Sequence, residues 1–178
     1  MRQHFLDSLS CLRADLFQPG KRVLDIGSGA GFPGIPLKIY QPELQLVAVD
    51  AVTKKVMFLR HLCRALELPD VACVAARLPS DASASAPLPP ALPRHSFDVI
   101  VSRAVGEIAY LLSLAAPFLK PGGHLIFQRG YHAPTEFDAA QQISPAYGLC
   151  ECDLLEIKFS FLTHPRYLMV LQHVAKRS

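Results

Sequence analysis

Short apolar runs recur along this chain and alternate with stretches of helical periodicity. One of them, Phe97–Val101, is an apolar run of the kind typical of a strand buried in a parallel sheet rather than an alternating one. The predicted strands are Arg22–Ile26, Leu44–Val49, Val71–Ala75, Phe97–Val101 and His124–Gln128. Because helical segments separate them, the pattern predicts an α/β fold with a doubly wound sheet.

Helical periodicity is strongest before and between these strands. The predicted helices are Arg2–Phe17, Ile35–Tyr40, Lys54–Leu68, Gly106–Leu119 and Thr135–Gln142. In the first helix, apolar residues recur at steps of three and four, and this stripe is expected to be buried. Its members are Phe5, Leu9, Leu12 and Leu16. His4 and Asp7 lie off the stripe, where a solvated helix face is the ordinary interpretation.

Residues 80–95 interrupt this alternation between the third and fourth strands. The segment is rich in Ala, Ser and Pro, a composition typical of a low-complexity surface loop. Such a composition offers little apolar area to bury, so we expect no ordered core there. We treat the segment as an insertion without an assigned function.

Composition sets limits on the class of protein. The 178 residues are 51% hydrophobic and 19% charged, which predicts one domain spanning residues 1–178 with a substantial core. No apolar run reaches the length of a membrane span, and the N-terminal ten residues lack the apolar core of a signal peptide. We therefore expect a cytoplasmic protein. A net charge of +3 permits a nucleic-acid partner without requiring one.

The five cysteines are scattered and odd in number, so a disulfide framework is not expected. Cys150 and Cys152 have a metal-like spacing, but no second Cys/His pair has the spacing of a zinc site. We expect free thiols and no bound metal.

The most informative stretch is LDIGSGAGFPG, which begins inside the first strand at Leu24. Strand, glycine-dense turn and helix form the phosphate- or nucleotide-binding corner of an open α/β sheet. Pro33 and Pro36 suit the first turn of the following helix, where a missing N–H is tolerated. A turn that only packs the helix on the sheet is the alternative interpretation.

Spacing within the turn distinguishes between two cofactor classes. A dinucleotide fingerprint requires G-x-G-x-x-G, but the sixth position from Gly27 is Phe32. Counting from Gly29 satisfies the pattern but starts the turn late. The arrangement D-x-G-x-G-x-G, which begins at Asp25, fits better and is the loop of S-adenosylmethionine enzymes. Asp50 ends the second strand, where an acid can accept the ribose hydroxyls of either cofactor.

Several motifs together resemble one family. The run LDIGSGAGFPGIPL, preceded by QHFLDSL, and the motifs KKVMFLR (residues 54–60) and VSRAV (residues 101–105) are similar in order and spacing to the 16S ribosomal RNA guanine-N7 methyltransferases, the RsmG or GidB family. The F-P-G-I-P continuation is far more specific than the glycines alone. The resemblance extends from about Gln3 to the C-terminus.

The resemblance implies a class I S-adenosylmethionine (SAM)-dependent methyltransferase fold, Rossmann-like, with SAM as the cofactor. This is a mostly parallel seven-stranded sheet with helices on both faces. Two further apolar runs, Leu149–Phe159 and Tyr167–His173, would then form its closing antiparallel hairpin.

The resemblance also implies particular cofactor contacts. They are Gly27, Phe32, Leu78, Pro79 and Arg103. Gly29 and Gly31 belong to the same turn, and Asp50 joins the set on the ribose argument. Family members commonly carry an acid where Pro79 stands. Because proline has no side-chain hydrogen-bonding group, Pro79 can contact the cofactor only through its backbone carbonyl or by packing. The family's H-x-L-D-S segment, here including His4 and Asp7, lines the approach to the cofactor loop.

The residues after the fourth strand bear on the target atom. Ser102-Arg103-Ala104 differs from the Asn/Asp-Pro-Pro-aromatic motif of exocyclic amine methylation, and no cysteine suggests covalent C5 chemistry. Guanine N7 has a free lone pair, so alignment with water excluded is sufficient. Arg103 is expected to hold the cofactor or orient the guanine, with a structural salt bridge as the alternative; no other catalytic residue is predicted.

The resemblance implies 16S ribosomal RNA or the small ribosomal subunit as the partner. Lys54, Lys55 and Arg129 are the candidate contacts to RNA phosphates, although a basic helix face is most often only solvated. We expect a monomer with no membrane and no metal partner.

Two alternatives remain open. The first alternative is a non-catalytic SAM- or RNA-binding protein. It stays open because family members carry a helical segment before the H-x-L-D-S helix, and this segment is expected to be largely absent here. An NAD-dependent oxidoreductase is the other, disfavoured by Phe32 and by the absence of a Tyr-x-x-x-Lys proton relay.

Overall fold

The computed structural model describes residues 2–79, 87–103, 106–160 and 164–174. Its centre is a seven-stranded sheet. The strands are β1 (Arg22–Ile26), β2 (Gln45–Asp50), β3 (Val71–Ala75), β4 (Phe97–Arg103), β5 (Leu119–Arg129), β6 (Leu149–Ile157) and β7 (Arg166–His173). Their order across the sheet is β3-β2-β1-β4-β5-β7-β6, and β7 runs in the direction opposite to the other six strands. This confirms the predicted doubly wound sheet with a closing hairpin.

Five α-helices cover the two faces of the sheet. They are α1 (Arg2–Leu9), α2 (Gly34–Tyr40), α3 (Thr53–Ala65), α4 (Ile108–Ala115) and α5 (Ala133–Ile143). Apolar residues of α2 and α3 pack with Val23 and Val99 in one buried cluster. Residues of α4 and α5 pack with Leu24 and Ile100 in the other. Neighbouring strand residues thus point to opposite layers, which is why both faces of the strands are apolar.

The first predicted helix is wrong in its end and in one member of its buried stripe, Phe5. The α-helix stops at Leu9, a 3₁₀ helix continues over Ser10–Ala14, and Asp15 ends it with a φ of 52°. Leu12 and Leu16 pack, partly buried, against the core cluster that also holds Cys11 and Phe17, as the stripe predicts. Phe5, in contrast, is 39% exposed.

The boundaries of two further elements differ from prediction. The helix predicted over residues 106–119 begins at Ile108 and ends in a 3₁₀ turn at Phe118. Strand β5 begins at Leu119, five residues before the predicted start at His124. A register shift against β4 absorbs the Lys120–Gly123 segment. Gly123 fits there because a Cβ would lie 2.9 Å from the Lys120 carbonyl oxygen.

The described half of the predicted surface loop, residues 87–95, has no helix or strand, but it is anchored in the core, which the sequence did not predict. Residues 80–86 lie outside the described part of the chain. In the described half, Leu92 is fully buried, and Leu88 and Ala91 pack against the same core. Arg22 donates a hydrogen bond to the Ala91 carbonyl oxygen at 3.2 Å. Two leucines spaced by four are therefore sufficient to anchor a segment that is otherwise poor in apolar residues.

Within the described residues, none of the helices has the length and apolar character needed to cross a membrane.

Candidate functional site

The glycine turn follows the carboxyl end of β1 and is hydrogen-bonded to the neighbouring strand β2. Gly27 and Gly29 have φ values of 71° and 58°, which side chains rarely tolerate. The amides of Gly27 and Ser28 both donate to the carbonyl oxygen of Val49 on β2, at 2.9 and 3.1 Å. The turn is thus a fixed part of the sheet edge.

Asp25 fixes the far side of the turn from beneath. Its Oδ2 accepts hydrogen bonds from Ser28 Oγ at 2.7 Å and from the Gly34 amide at 3.0 Å. Gly34 must be glycine, because a Cβ would lie 2.7 Å from the same Oδ2. The carboxyl is completely buried, and this burial raises its pKa to about 6. Asp25 therefore holds the turn against the start of α2 and does not face the cavity.

Asp50 fixes the near side of the turn and also faces the cavity. Its Oδ2 accepts the Gly29 amide at 3.0 Å, and its Oδ1 accepts the Val52 amide at 2.8 Å. Lys55 Nζ lies 3.6 Å from Oδ2. A carboxylate oxygen can accept more than one hydrogen bond, so Asp50 retains capacity for ligand hydroxyls.

A cavity of about 480 Å³ opens at this edge, between the ends of β1, β2 and β4. The size suits a small-molecule or cofactor site. Its charged and polar side chains are Asp50, Lys55, Arg77, Arg103 and Tyr110. Its apolar part includes Ile26, Val49, Ala76, Leu78 and Leu114. An apolar wall beside a carboxylate and two guanidinium groups can hold a flat ring, a sugar and an acidic group.

Four of the eight predicted cofactor residues line this cavity: Gly27, Asp50, Leu78 and Arg103. The other four are adjacent in the chain but do not line it. Gly29 donates to Asp50, and Gly31 packs against helices α2 and α3, where a Cβ would lie 2.7 Å from Ile35 Cγ1. Pro79 follows the cavity residue Leu78.

Phe32 and Arg103 meet at the rim of the cavity. The guanidinium carbon lies 5.0 Å from the ring centre, within cation–π range. His4 and Phe5 of α1 also contact the Phe32 ring, with centroid distances of 5.6 and 5.2 Å. Phe5 thus packs on the glycine turn instead of the sheet, which accounts for its exposure.

Asp7 of α1 lies between two arginines. Its carboxylate is 3.7 Å from Arg103 Nη1 and 3.9 Å from Arg166 Nε, while its backbone carbonyl oxygen accepts from Gln128 Nε2 at 2.5 Å. Burial raises the pKa of Asp7, although both arginines oppose this effect. His4 Nδ1 lies 3.4 Å from Arg103 Nη1. His4 and Asp7 therefore adjoin the cavity, and the solvated-face interpretation is wrong for Asp7.

The three candidate RNA contacts lie in different surroundings. Lys54 is exposed on α3. Lys55 lines the cavity. Arg129 has a side chain only 11% exposed, lies 3.3 Å from Glu136 and donates twice to the Gly106 carbonyl oxygen at 3.2 Å. Burial lowers the pKa of Arg129. Its role toward RNA stays a prediction, and the geometry favours a structural one.

Sequence reasoning missed Tyr110 and Arg77 among the polar lining residues. Tyr110 lies in the first turn of α4, the helix that follows the strand bearing Arg103. This position at the switch point of the sheet was a usable signal. Arg77 precedes Leu78 in the segment after β3 and carried no separate signal.

In the described part of the chain, no group of three or more His, Cys, Asp or Glu side chains is placed to hold a metal ion.

Comparison with known proteins gives consistent results. The sequence model of the family GidB, rRNA small subunit methyltransferase G, matches residues 1–157. A ribosomal RNA small subunit methyltransferase G of Geotalea uraniireducens is 39% identical over 173 residues, covering 97% of this chain and 74% of the relative. The same-named protein of Alkaliphilus metalliredigens is 35% identical over 176 residues, covering 98% and 70%.

Solved structures agree on the fold. The crystal structure of a SAM-dependent methyltransferase from Aquifex aeolicus superposes with a TM-score of 0.69 and covers 94% of this chain and 90% of that one. Its sequence identity is only 18%, so this likeness concerns the fold alone.

Proposed function

The chain belongs to the rRNA small subunit methyltransferase G family, also called GidB, and we propose that it transfers a methyl group from SAM to N7 of one guanine in 16S ribosomal RNA. The protein is a SAM-dependent methyltransferase of small-subunit ribosomal RNA. The target atom and the residues that act on it are the proposal. A cytoplasmic monomer is part of the same proposal, and sedimentation at working concentration tests the oligomeric state.

The residues of the cavity fit SAM. Gly27 has no side chain where the cofactor must pass the turn, and Asp50 offers carboxylate oxygens to the ribose hydroxyls. Leu78 and Leu114 supply apolar surface for the adenine, and Arg103 supplies a cation for the carboxylate end. When bound, SAM supplies a sulfonium-activated methyl group.

The single observation that carries the N7 assignment is the composition of the cavity wall. It contains no histidine or cysteine among the described residues, and its carboxylate, Asp50, is the group assigned to the ribose hydroxyls of the cofactor. Such a wall has no evident base for removing a proton. Guanine N7 carries no proton to remove, so a site that aligns the base and excludes water is sufficient. With Arg103 assigned to the carboxylate end of SAM, Tyr110 is the cavity residue that we expect to orient the base.

The test is transfer of labelled methyl from SAM to small ribosomal subunits that lack this modification, with the label mapped to a nucleotide. We expect label at N7 of one guanine. Label at another atom would overturn the N7 assignment while leaving the methyltransferase intact. A non-catalytic binding protein would bind SAM in calorimetry and transfer nothing. Tight binding of NAD in place of SAM would indicate the oxidoreductase.

A further inference from the structure

Three aromatic side chains form a cluster outside the cofactor cavity. The ring of Tyr131 contacts the imidazole of His132 at a centroid distance of 5.5 Å and that of His164 at 5.4 Å. The interplanar angles are 77° and 57°, so neither imidazole is stacked parallel on the phenol. Tyr131 is 64% exposed, as much as any other large apolar side chain among the described residues. Exposure alone does not single out Tyr131, since Tyr40 is exposed to the same extent; its neighbours and its place on the sheet do.

The cluster lies at the same edge of the sheet as the cofactor cavity. Tyr131 comes two residues after the end of β5, and β5 pairs with β4 so that Gln128 is opposite Arg103. His164 comes two residues before the start of β7. Since β7 is antiparallel to β5 and Tyr167 pairs with Arg129, the start of β7 meets the end of β5. The three rings therefore collect beside the strand ends where the methyl group is expected to be transferred.

A positive side chain accompanies the rings. Arg166 Nη1 lies 3.6 Å from the position that a Cβ on Gly130 would occupy, and its side chain is 41% exposed. Arg166 also links this region to the cavity rim, because Asp7 lies between Arg166 and Arg103. A flat exposed ring beside a guanidinium is the combination that binds unpaired nucleotides: the ring stacks on a base, and the cation contacts a phosphate.

We propose that Tyr131, restrained by His132 and His164, is a stacking platform for an unpaired base of the RNA substrate. The inference deepens the proposed function, on which it rests: it requires an RNA substrate and says how a single-stranded nucleotide is held beside the target guanine. The two tilted imidazoles limit the orientation of the phenol without covering it as a stacked base would. A protein partner is the competing occupant, and the experiment separates the two.

The chain contains no tryptophan, so Tyr131→Trp introduces a single fluorescent reporter at the platform. Tyr40→Trp is a matched control, since Tyr40 is also 64% exposed but ends α2 at the opposite edge of the sheet. A short, unpaired, purine-rich RNA oligonucleotide is the titrant. We expect the RNA to quench the fluorescence of Tyr131→Trp and to leave Tyr40→Trp unchanged. Equal quenching, or none in either, would overturn the proposal.

Substitutions that vary the ring give a second measurement. Tyr131→Phe keeps the stacking surface and should bind the oligonucleotide as the unaltered protein does. Tyr131→Leu keeps apolar bulk without the ring and should bind about tenfold more weakly or worse, as loss of one base–aromatic stack predicts. Equal binding by the two variants would contradict stacking.

Failure of the stacking platform and failure of the proposed methyl transfer give different results. SAM affinity measured by calorimetry should be the same in both variants. If the unaltered protein methylates ribosomal RNA and Tyr131→Leu does so with unchanged KM, the platform is wrong and the proposed function stands. If Tyr131→Leu raises KM for ribosomal subunits but binds the naked oligonucleotide normally, the ring contacts a ribosomal protein and the proposal is overturned.

Discussion

The guanidinium of Arg103, at the end of β4, lies over the ring of Phe32 in the glycine turn, with 5.0 Å between the guanidinium carbon and the ring centre. The same guanidinium lies 3.7 Å from Asp7 of α1 and faces the cavity. Three parts of the chain that are distant in sequence therefore depend on one cation at the rim of the cofactor site.

Replacing Arg103 by alanine tests this dependence. Arg103→Ala removes the cation from the cavity and leaves Asp7 with one fewer partner. We expect SAM affinity, measured by calorimetry, or turnover to fall about tenfold or more, equivalent to about 1.4 kcal/mol. Arg103→Lys keeps the charge but lacks the planar guanidinium. Its SAM affinity or turnover should therefore lie between those of the unaltered protein and of Arg103→Ala.

Arg64→Ala is the control for Arg103. Arg64 is exposed on α3, and its Nε donates to the carbonyl oxygen of Arg60, away from the cofactor cavity. It should leave SAM binding unchanged. If Arg103→Ala binds SAM and turns over as well as this control, Arg103 belongs to the scaffold and not to the site.

The buried carboxyl of Asp25 should affect the pH dependence of stability. Its pKa is raised from 3.8 to about 6, so the folded protein binds this proton more tightly than the unfolded chain. The contribution of Asp25 to the free energy of unfolding therefore decreases as pH rises from about 4 to about 6, by about 3 kcal/mol, and is constant above that. Asp25→Asn cannot titrate, so its stability curve should lack this slope.

Urea unfolding of both proteins at several pH values between about 4 and 7 measures the effect as the difference between two curves. Taking the difference removes the contribution of other carboxyls, including Asp7. Asp138→Asn, an exposed substitution on α5, should give a curve parallel to that of the unaltered protein. A parallel curve for Asp25→Asn would show that the buried carboxyl does not titrate in this range.

Gly34 should tolerate no side chain, although its backbone is not of the left-handed kind. A Cβ would lie 2.7 Å from Asp25 Oδ2 and 3.2 Å from Leu46 Cδ1, so Gly34→Ala must push α2 away from the turn. We expect a loss of about 1–3 kcal/mol in the free energy of unfolding, as in other overpacked sites, together with weaker SAM binding.

Gly122→Ala separates crowding from backbone strain. Gly122 has a φ of 77° and no atom within 4 Å of its Cβ position, so alanine there costs only about 1 kcal/mol of strain. It lies at the edge of the sheet opposite the cavity and should leave SAM binding intact. The crowding argument fails if Gly34→Ala is as stable, and binds SAM as well, as Gly122→Ala.

The central sheet could be predicted because its strands are buried on both faces. Runs such as Val23-Leu24 and Val99-Ile100-Val101 carry an apolar signal that needs no partner to be recognised. The glycine turn was predictable for a similar reason, since its backbone requirements are local. The end of α1 and the place of Phe5 were not, because the helix changes to a 3₁₀ helix after Leu9 and Phe5 packs on the turn residue Phe32.

The rim of the site could not be predicted from spacing. Asp7, Arg103 and Arg166 belong to α1, β4 and β7, and only the folded sheet brings them together. The same holds for Leu92, which is buried although its segment is poor in apolar residues. The composition of a segment indicates how much apolar area it contains, but its burial also depends on contacts with residues that are distant in sequence.

The candidate RNA contacts should separate by their effect on salt dependence. Lys54 is exposed on α3, whereas the guanidinium of Arg129 is engaged by Glu136 and by the Gly106 carbonyl oxygen. If Lys54 contacts a phosphate, Lys54→Gln should lower the slope of log affinity against log salt by about 0.7–0.9, the value for one phosphate contact.

Arg129→Gln should leave that slope unchanged and reduce the free energy of unfolding instead, since it leaves Glu136 without its cation. Filter binding of RNA at several salt concentrations measures the slopes, and urea unfolding measures the stability. The opposite pattern, with the slope reduced only in Arg129→Gln, would place the RNA backbone along the end of β5 and not along α3.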